Sequence, residues 1–383
     1  MPTQKPRVVH IGKFYPPHRG GMESHVQALS IALKKWFEIT VLVASEHSKT
    51  IDHEVEGIRV IRAGTLGKFA AAPVCPSMPR ILNSIHADII HVHVPNPTGV
   101  LAWFLARPPG CLILTYHSDT VRQKLFGALF QPVLDYVMGK SASVIATSPN
   151  YVRSSSLLSR HRERCRVIPL SIEPSEFHIC DPAVVTEIRH RFGDRIVLAV
   201  GRLTHYKGFE YLIQAMVQVI NAQLLIIGTG PLLARLQHTA EVYNVQQRIT
   251  FLGEVQNLVP YYHAAGLFVL PSVARNEAFG IVQLEAMACG RPIINTRLSS
   301  GVPWVSLDGV TGLTVPPRDP AALAQAINLI LDSEDLRAQF GQAARRRVEN
   351  EFTRDLMAAR ILHVYQDALA GRLNSERKEY QIE

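Results

Sequence analysis

The sequence predicts an α/β protein of two doubly wound domains, each a parallel sheet covered by helices on both faces. Short, uniformly apolar runs alternate with helix-length segments, the pattern of strands buried on both sides. The series occurs twice along the chain. The chain's 383 residues, 47% hydrophobic and 19% charged, are too many for one ordinary core and suit two. This composition excludes a disordered chain.

In the first half the runs are 7–12, 39–44, 58–61, 89–93, 112–115, 143–147 and 166–169. In the second half they are 196–200, 224–227, 249–252, 267–270, 292–294 and 312–315. The segments between them carry helical stripes: Met22, Val26, Leu29 and Leu33 recur with the period of one helix face. Residues 169–177 have no clear period, and Cys180-Asp-Pro182 follows, which puts a hinge near residue 180. A long amphipathic helix through Met357, Ile361, Val364 and Ala368 closes the chain.

The formal charge of +8 is lopsided: residues 1–190 hold 21 Lys/Arg against 14 Asp/Glu, and residues 191–383 hold 19 against 18. A basic first half suits an anionic partner, either a phosphate-bearing acceptor or an anionic membrane surface, or is simply a solvated face. No interleaved basic and aromatic run marks a nucleic-acid binder. The five cysteines have no metal-ligand spacing and read as reduced thiols. The start lacks a secretory apolar core, so a cytoplasmic protein is expected. Residues 211–234 carry no charge, but four Gln/Asn side chains and Gly228-Thr-Gly-Pro231 make them a helix, a turn and a strand, not a membrane span.

Ligands of open parallel sheets bind where strands end. The strongest pattern after a strand is Asn276-Glu-Ala-Phe-Gly-Ile-Val-Gln-Leu-Glu-Ala-Met-Ala-Cys-Gly-Arg-Pro292. A helix is expected to start at Phe279-Gly280, where free N–H groups seat a phosphate or a sugar hydroxyl. Glu285, a turn and a half inside that helix, suits ribose hydroxyls. Glu277, in the loop before it, reaches a transferred sugar. Two glutamates alone are as readily surface residues; the Gly-Ile-Val and Ala-Cys-Gly-Arg-Pro around them single them out.

In Val200-Gly-Arg-Leu-Thr-His-Tyr-Lys-Gly208, Arg202 and Lys207 bracket a tight loop and can neutralise a diphosphate leaving group without a metal. Gly20 and Gly21 allow close backbone approach to a phosphate before the Met22 helix. His117, in Thr115-Tyr-His-Ser-Asp119, can hydrogen-bond the donor sugar or orient an acceptor, although a lone histidine is more often structural. Gly228 and Gly230, with Gly253-Glu-Val255, suit contact with a nucleobase. The chain has neither an Asp-x-Asp metal clamp nor a Gly-x-x-x-x-Gly-Lys-Ser/Thr loop.

In this order the motifs resemble the retaining glycosyltransferases of family 4, with the GT-B fold of two Rossmann-like domains facing a cleft. The resemblance rests on Gly20-Gly21 with Glu23, His117, Val167-Ile-Pro-Leu, Gly201-Arg202 with Lys207-Gly208, Gly228-Thr-Gly-Pro231, and Glu277 with Glu285. The family commonly reads Ile-Pro-Asn-Gly where this chain has Ile168-Pro-Leu-Ser171. The segments 116–125 and 146–151 are similar to bacterial O-antigen mannosyl- and rhamnosyltransferases.

The resemblance implies a GDP-activated mannose or D-rhamnose, an undecaprenyl-diphosphate-linked saccharide acceptor, and no cofactor or metal. It implies an acceptor-side domain of residues 1–180, joined by the helix of 355–383, and a donor domain of residues 181–354. It assigns the diphosphate to Arg202 and Lys207, the ribose to Glu285, and the sugar to Glu277 and the backbone of Phe279, Gly280 and Ile281. Gly21 is assigned a phosphate oxygen and His117 the sugar near its reacting face; Gly228, Gly230 and Val255 line the donor site. A sugar-nucleotide epimerase or phosphorylase of the same fold is the nearest rival, followed by a non-enzymatic two-domain sugar-binding protein. The stretch 122–140 mixes Arg122, Lys124 and Lys140 with Leu125, Phe126, Leu129, Phe130 and Val133, as in a helix docked on a membrane or packed on the sheet.

Overall fold

The computed structural model describes residues 5–18, 20–69, 72–119 and 124–371. The chain divides into two compact units, one running to Leu170 and resuming at Arg354, the other spanning Ser171–Thr353. The break falls earlier than the expected hinge near 180, because residues 171–180 are held by the second unit. Ile172 bridges to Thr353 there. The Phe177 carbonyl accepts from His263 Nε2 at 2.8 Å and from the Cys289 thiol at 3.5 Å.

The first unit is built on an eight-stranded sheet. Its centre is β1 (Arg7–Ile11), β2 (Ile89–Val94) and β3 (Cys111–Tyr116), paired in parallel in the order β1-β2-β3. The strands of 38–44, 58–63, 143–146 and 165–167 extend it in parallel on either side. The one antiparallel member is the edge strand Ile51–Val55, which the sequence reading missed. Its residues are half-exposed or exposed and mostly polar, so it has no apolar run. Glu56 (φ 54°) and Gly57 (φ 76°) turn it into its neighbour.

Helix α1 (Gly21–Leu33) buries Glu23, His25, Val26, Leu29 and Leu33 against this sheet. The closing helix, Arg354–Leu369, packs on α1 and β2 with Met357, Ile361, Val364 and Tyr365 buried.

The second unit has a six-stranded, wholly parallel sheet. Its central strands are β4 (Ile196–Val200) and β5 (Leu267–Leu270), and both are fully apolar and buried. The uncharged stretch 211–234 divides among the end of helix Phe209–Ala215, the strand Gln223–Ile227 and the start of helix Leu233–Val242. Among the described residues no helix is long and apolar enough to cross a membrane.

Candidate active site

In the second unit the strand-end loops are tied together by backbone hydrogen bonds. Gly201 N–H donates to Ile227 C=O at 2.9 Å, Leu203 N–H to Thr229 C=O at 2.9 Å, and Gly228 N–H to Gly253 C=O at 2.7 Å. This packing explains two of the glycines: a Cβ at Gly228 would collide with the Gly201 carbonyl, and one at Gly230 would lie 2.5 Å from the Leu203 carbonyl oxygen. Val255, in the neighbouring loop, is half-buried.

The loop after β4 presents Arg202 exposed and Lys207 buried. Arg202 makes no ion pair among the described residues. Lys207 Nζ lies 2.6 Å from Glu277 Oε2, in the loop after β5, with both side chains 10% exposed. Ser272 Oγ donates to the same carboxylate oxygen at 3.0 Å. Burial works against the Lys207 charge, but Glu277, Tyr206 and Glu285 outweigh it and raise the ammonium above its ordinary pKa.

Gly280 has φ 72°, where helix cannot form, so α2 starts later than expected and spans Val282–Ala288. Glu285 therefore stands in the first turn, not a turn and a half inside. Phe279 is buried and packs on Trp304 and Phe352, and its carbonyl accepts from Gln283 Nε2 at 3.0 Å. Glu285 Oε2 accepts from the Tyr262 hydroxyl at 2.7 Å. Burial raises its carboxyl from 4.5 to about 7, against the opposing pull of Tyr262 and Lys207. Sequence reasoning missed Ser272 and Tyr262, whose hydroxyls each hold one of the two glutamates.

In the first unit, Gly21 is exposed and opens α1. A Cβ there would meet no atom of the described residues within 4 Å, so their packing does not demand the glycine. At Gly20 a Cβ would run into the Glu23 carboxylate. His117 follows β3 in a loop pinned by Asp119, which accepts from the Tyr116 hydroxyl at 2.7 Å and from Ser155 Oγ at 3.0 Å. It stands in a histidine group that sequence reasoning missed. His93 Nδ1 lies 3.2 Å from His117 Nε2, and His10 Nδ1 lies 3.0 Å from His93 Nε2. His91 is held by Tyr365 Oη and Thr115 Oγ1, each at 2.6 Å. The signal was visible as His91-Val-His93, two histidines on one face of a strand.

Two histidine triads, His10/His91/His93 and His25/His93/His117, bring ring nitrogens within 4.8 Å of one another, the spacing of metal ligands. Four of those nitrogens are already hydrogen-bonded ring to ring.

Two doubly wound domains with this strand-end apparatus define a glycosyltransferase of the GT-B fold. Residues 19–176 match Glycosyltransferase Family 4, and residues 186–347 match Glycosyl transferases group 1. The chain is similar to O-antigen chain mannosyltransferase C of Escherichia coli, at 31% identity over 96% of this chain and 100% of the relative. It is similar to D-rhamnosyltransferase WbpZ of Pseudomonas aeruginosa at 32% identity over 70% of each. A solved sucrose-phosphate synthase from Thermosynechococcus elongatus superposes with a TM-score of 0.80 at 25% identity, over 96% of this chain and 100% of that one. The chain belongs to glycosyltransferase family 4.

Proposed function

We propose that the enzyme moves a hexose, mannose or D-rhamnose, from a GDP-sugar to an undecaprenyl-diphosphate-linked saccharide in O-antigen assembly, with retention and without a metal. The observation that carries this reading is the buried Lys207–Glu277 pair beside Glu285, in a chain similar along its length to an O-antigen mannosyltransferase.

In this reading Lys207 keeps N–H donors beyond the one facing Glu277, and with Arg202 it neutralises the departing diphosphate. Glu277 and the backbone of Phe279, Gly280 and Ile281 hold the sugar. Glu285 accepts from the ribose hydroxyls, and Gly228, Gly230 and Val255 meet the base. Gly20 and Gly21 let backbone approach a phosphate oxygen, and His117 contacts the sugar. The bond from the anomeric carbon to the diphosphate oxygen breaks as the acceptor oxygen bonds on the same face. The acceptor's proton passes to the freed diphosphate, so no protein nucleophile is required.

The test is thermal unfolding with a panel of nucleotide sugars, followed by product analysis. A GDP-sugar at 100 times its Kd should add about 2.7 kcal/mol of stability. Protection by UDP-sugars alone would replace the donor. Release of an epimerised sugar without acceptor product would replace the reaction.

A further inference from the structure

The histidine group of the first unit is a chain of hydrogen bonds whose direction can be worked out. His10 on β1 lies directly across from His91 on β2, and His93 follows two residues on, on the same face. His10, His93 and His117 form the series of two ring-to-ring contacts described above. His10 and His93 are fully buried and His117 is half-buried, and desolvation keeps all three rings neutral: it lowers His10 to about 3 and holds His93 and His117 well below the ordinary histidine value.

A neutral imidazole carries one N–H. His93 must therefore donate to one neighbour and accept from the other, and only two arrangements exist. In one, protons point from His117 toward His10, which leaves a His10 Nε2–H. In the other they point from His10 toward His117, which leaves a bare His10 Nε2 lone pair. His10 Nε2 is fully buried and has no hydrogen-bond partner among the described residues. Orphaned buried N–H groups are rarer in folded proteins than under-satisfied acceptors. The second arrangement wins. His10 donates through Nδ1, His93 donates through Nδ1, and His117 accepts at Nε2.

We infer that His10 and His93 are positioning residues that hold His117 as the Nδ1–H tautomer, making it a hydrogen-bond donor to an oxygen of the sugar substrate. In that form its free nitrogen gives a proton contact and cannot accept one, so His117 serves as an electrostatic clamp and not as a base. The inference rests on the proposed contact of His117 with the donor sugar, but the tautomer is measured without substrate. His25, edge-on to the His117 ring at a centroid distance of 5.0 Å, completes the wall beside it.

The experiment is NMR of the full-length enzyme with histidine-selective ¹³C and ¹⁵N labels at neutral pH, with His117 assigned by a His117→Gln variant. Long-range ring correlations should show the proton of His117 on Nδ1. His93→Leu, which removes the donor to Nε2, should convert His117 wholly or partly to the Nε2–H form and lower kcat. A wild-type spectrum with the proton on Nε2 overturns the inference, whether or not the variant folds. So does stoichiometric zinc in the purified enzyme with both His93 Nδ1 and His117 Nε2 as ligands, because a metal would claim the nitrogens the relay uses. Failure of the sugar contact would appear separately, as an unchanged donor Kd in His117→Ala.

Discussion

Lys207 and Glu277, from loops after two adjacent strands of one sheet, meet at 2.6 Å in a buried ion pair. The cation assigned to the leaving group and the carboxylate assigned to the sugar are thus mutually held before any substrate arrives. Removing one partner strands the other, at a cost of about 3–5 kcal/mol. Lys207→Ala should therefore unfold at lower denaturant and also lose two to three orders of magnitude in kcat, the range of about 10²–10³ for one preorganised donor. The double variant Lys207→Met/Glu277→Leu should recover much of the stability and none of the transfer. Stability losses that simply add in this cycle would refute the coupling.

Glu285 gives a pH signature. Its folded pKa of about 7 exceeds the ordinary 4.5, so the folded state holds a proton that the unfolded chain has released. Stability from this group is full below pH 4.5 and is lost as pH rises to about 7. Tm measured across that window should fall in wild type relative to Glu285→Gln, with the gap constant above it. Above that window, where the carboxyl is ionised, Glu285→Ala should weaken donor binding in titrations roughly 10- to 150-fold, as expected for a charge-assisted hydrogen bond of about 1.5–3 kcal/mol. Parallel Tm profiles would show that the carboxyl is not raised.

Gly21→Ala separates packing from ligand approach. Among the described residues the new methyl meets no atom within 4 Å, and alanine favours the first turn of α1, so stability should hold or rise by about 0.4–1 kcal/mol. Donor affinity should drop if backbone must come close to a phosphate. Equal donor titrations for wild type and variant would remove Gly21 from the site.

Metal independence is expected from the Arg202 and Lys207 cations. Transfer should continue in excess EDTA at an unchanged rate. Activity lost to EDTA and restored by Mn²⁺, Mg²⁺ or Zn²⁺ would show that a metal takes part.

The helix Lys124–Lys140 raises the question of membrane docking. Val137 and Met138 pack inward, and Arg122 lies outside the described residues. Cations near an anionic surface contribute about 1 kcal/mol each. The reversal Arg122→Glu/Lys124→Glu should release most protein from anionic liposomes in co-sedimentation at low salt. Wild type that stays in the supernatant would identify the segment as packing alone.

How far these features could be read from sequence depends on how local their causes are. The predicted strands are short apolar runs, and where a strand is buried on both faces, as Ile196–Val200 and Leu267–Leu270 are, that signal is written into the strand on its own. The edge strand Ile51–Val55 escaped because an edge needs no apolar run. The two glutamates stood out by their neighbours, but the start of α2 turned on the φ of Gly280, which the pattern does not carry. The contact between His91 and Tyr365 spans 274 residues, and no local window contains both. His93 was read as the end of an apolar strand because its partners come from three other segments.

That long-range contact bears on how the protein is made. The first unit is interrupted, and the helix Arg354–Leu369 that completes it is translated after the whole of Ser171–Thr353. A nascent chain emerging from the ribosome can close its second sheet while its first still exposes the apolar surface that Met357, Ile361 and Val364 will cover. Premature termination within the inserted unit therefore leaves His91 without the Tyr365 hydroxyl and yields a sticky fragment, a substrate for chaperones and proteases.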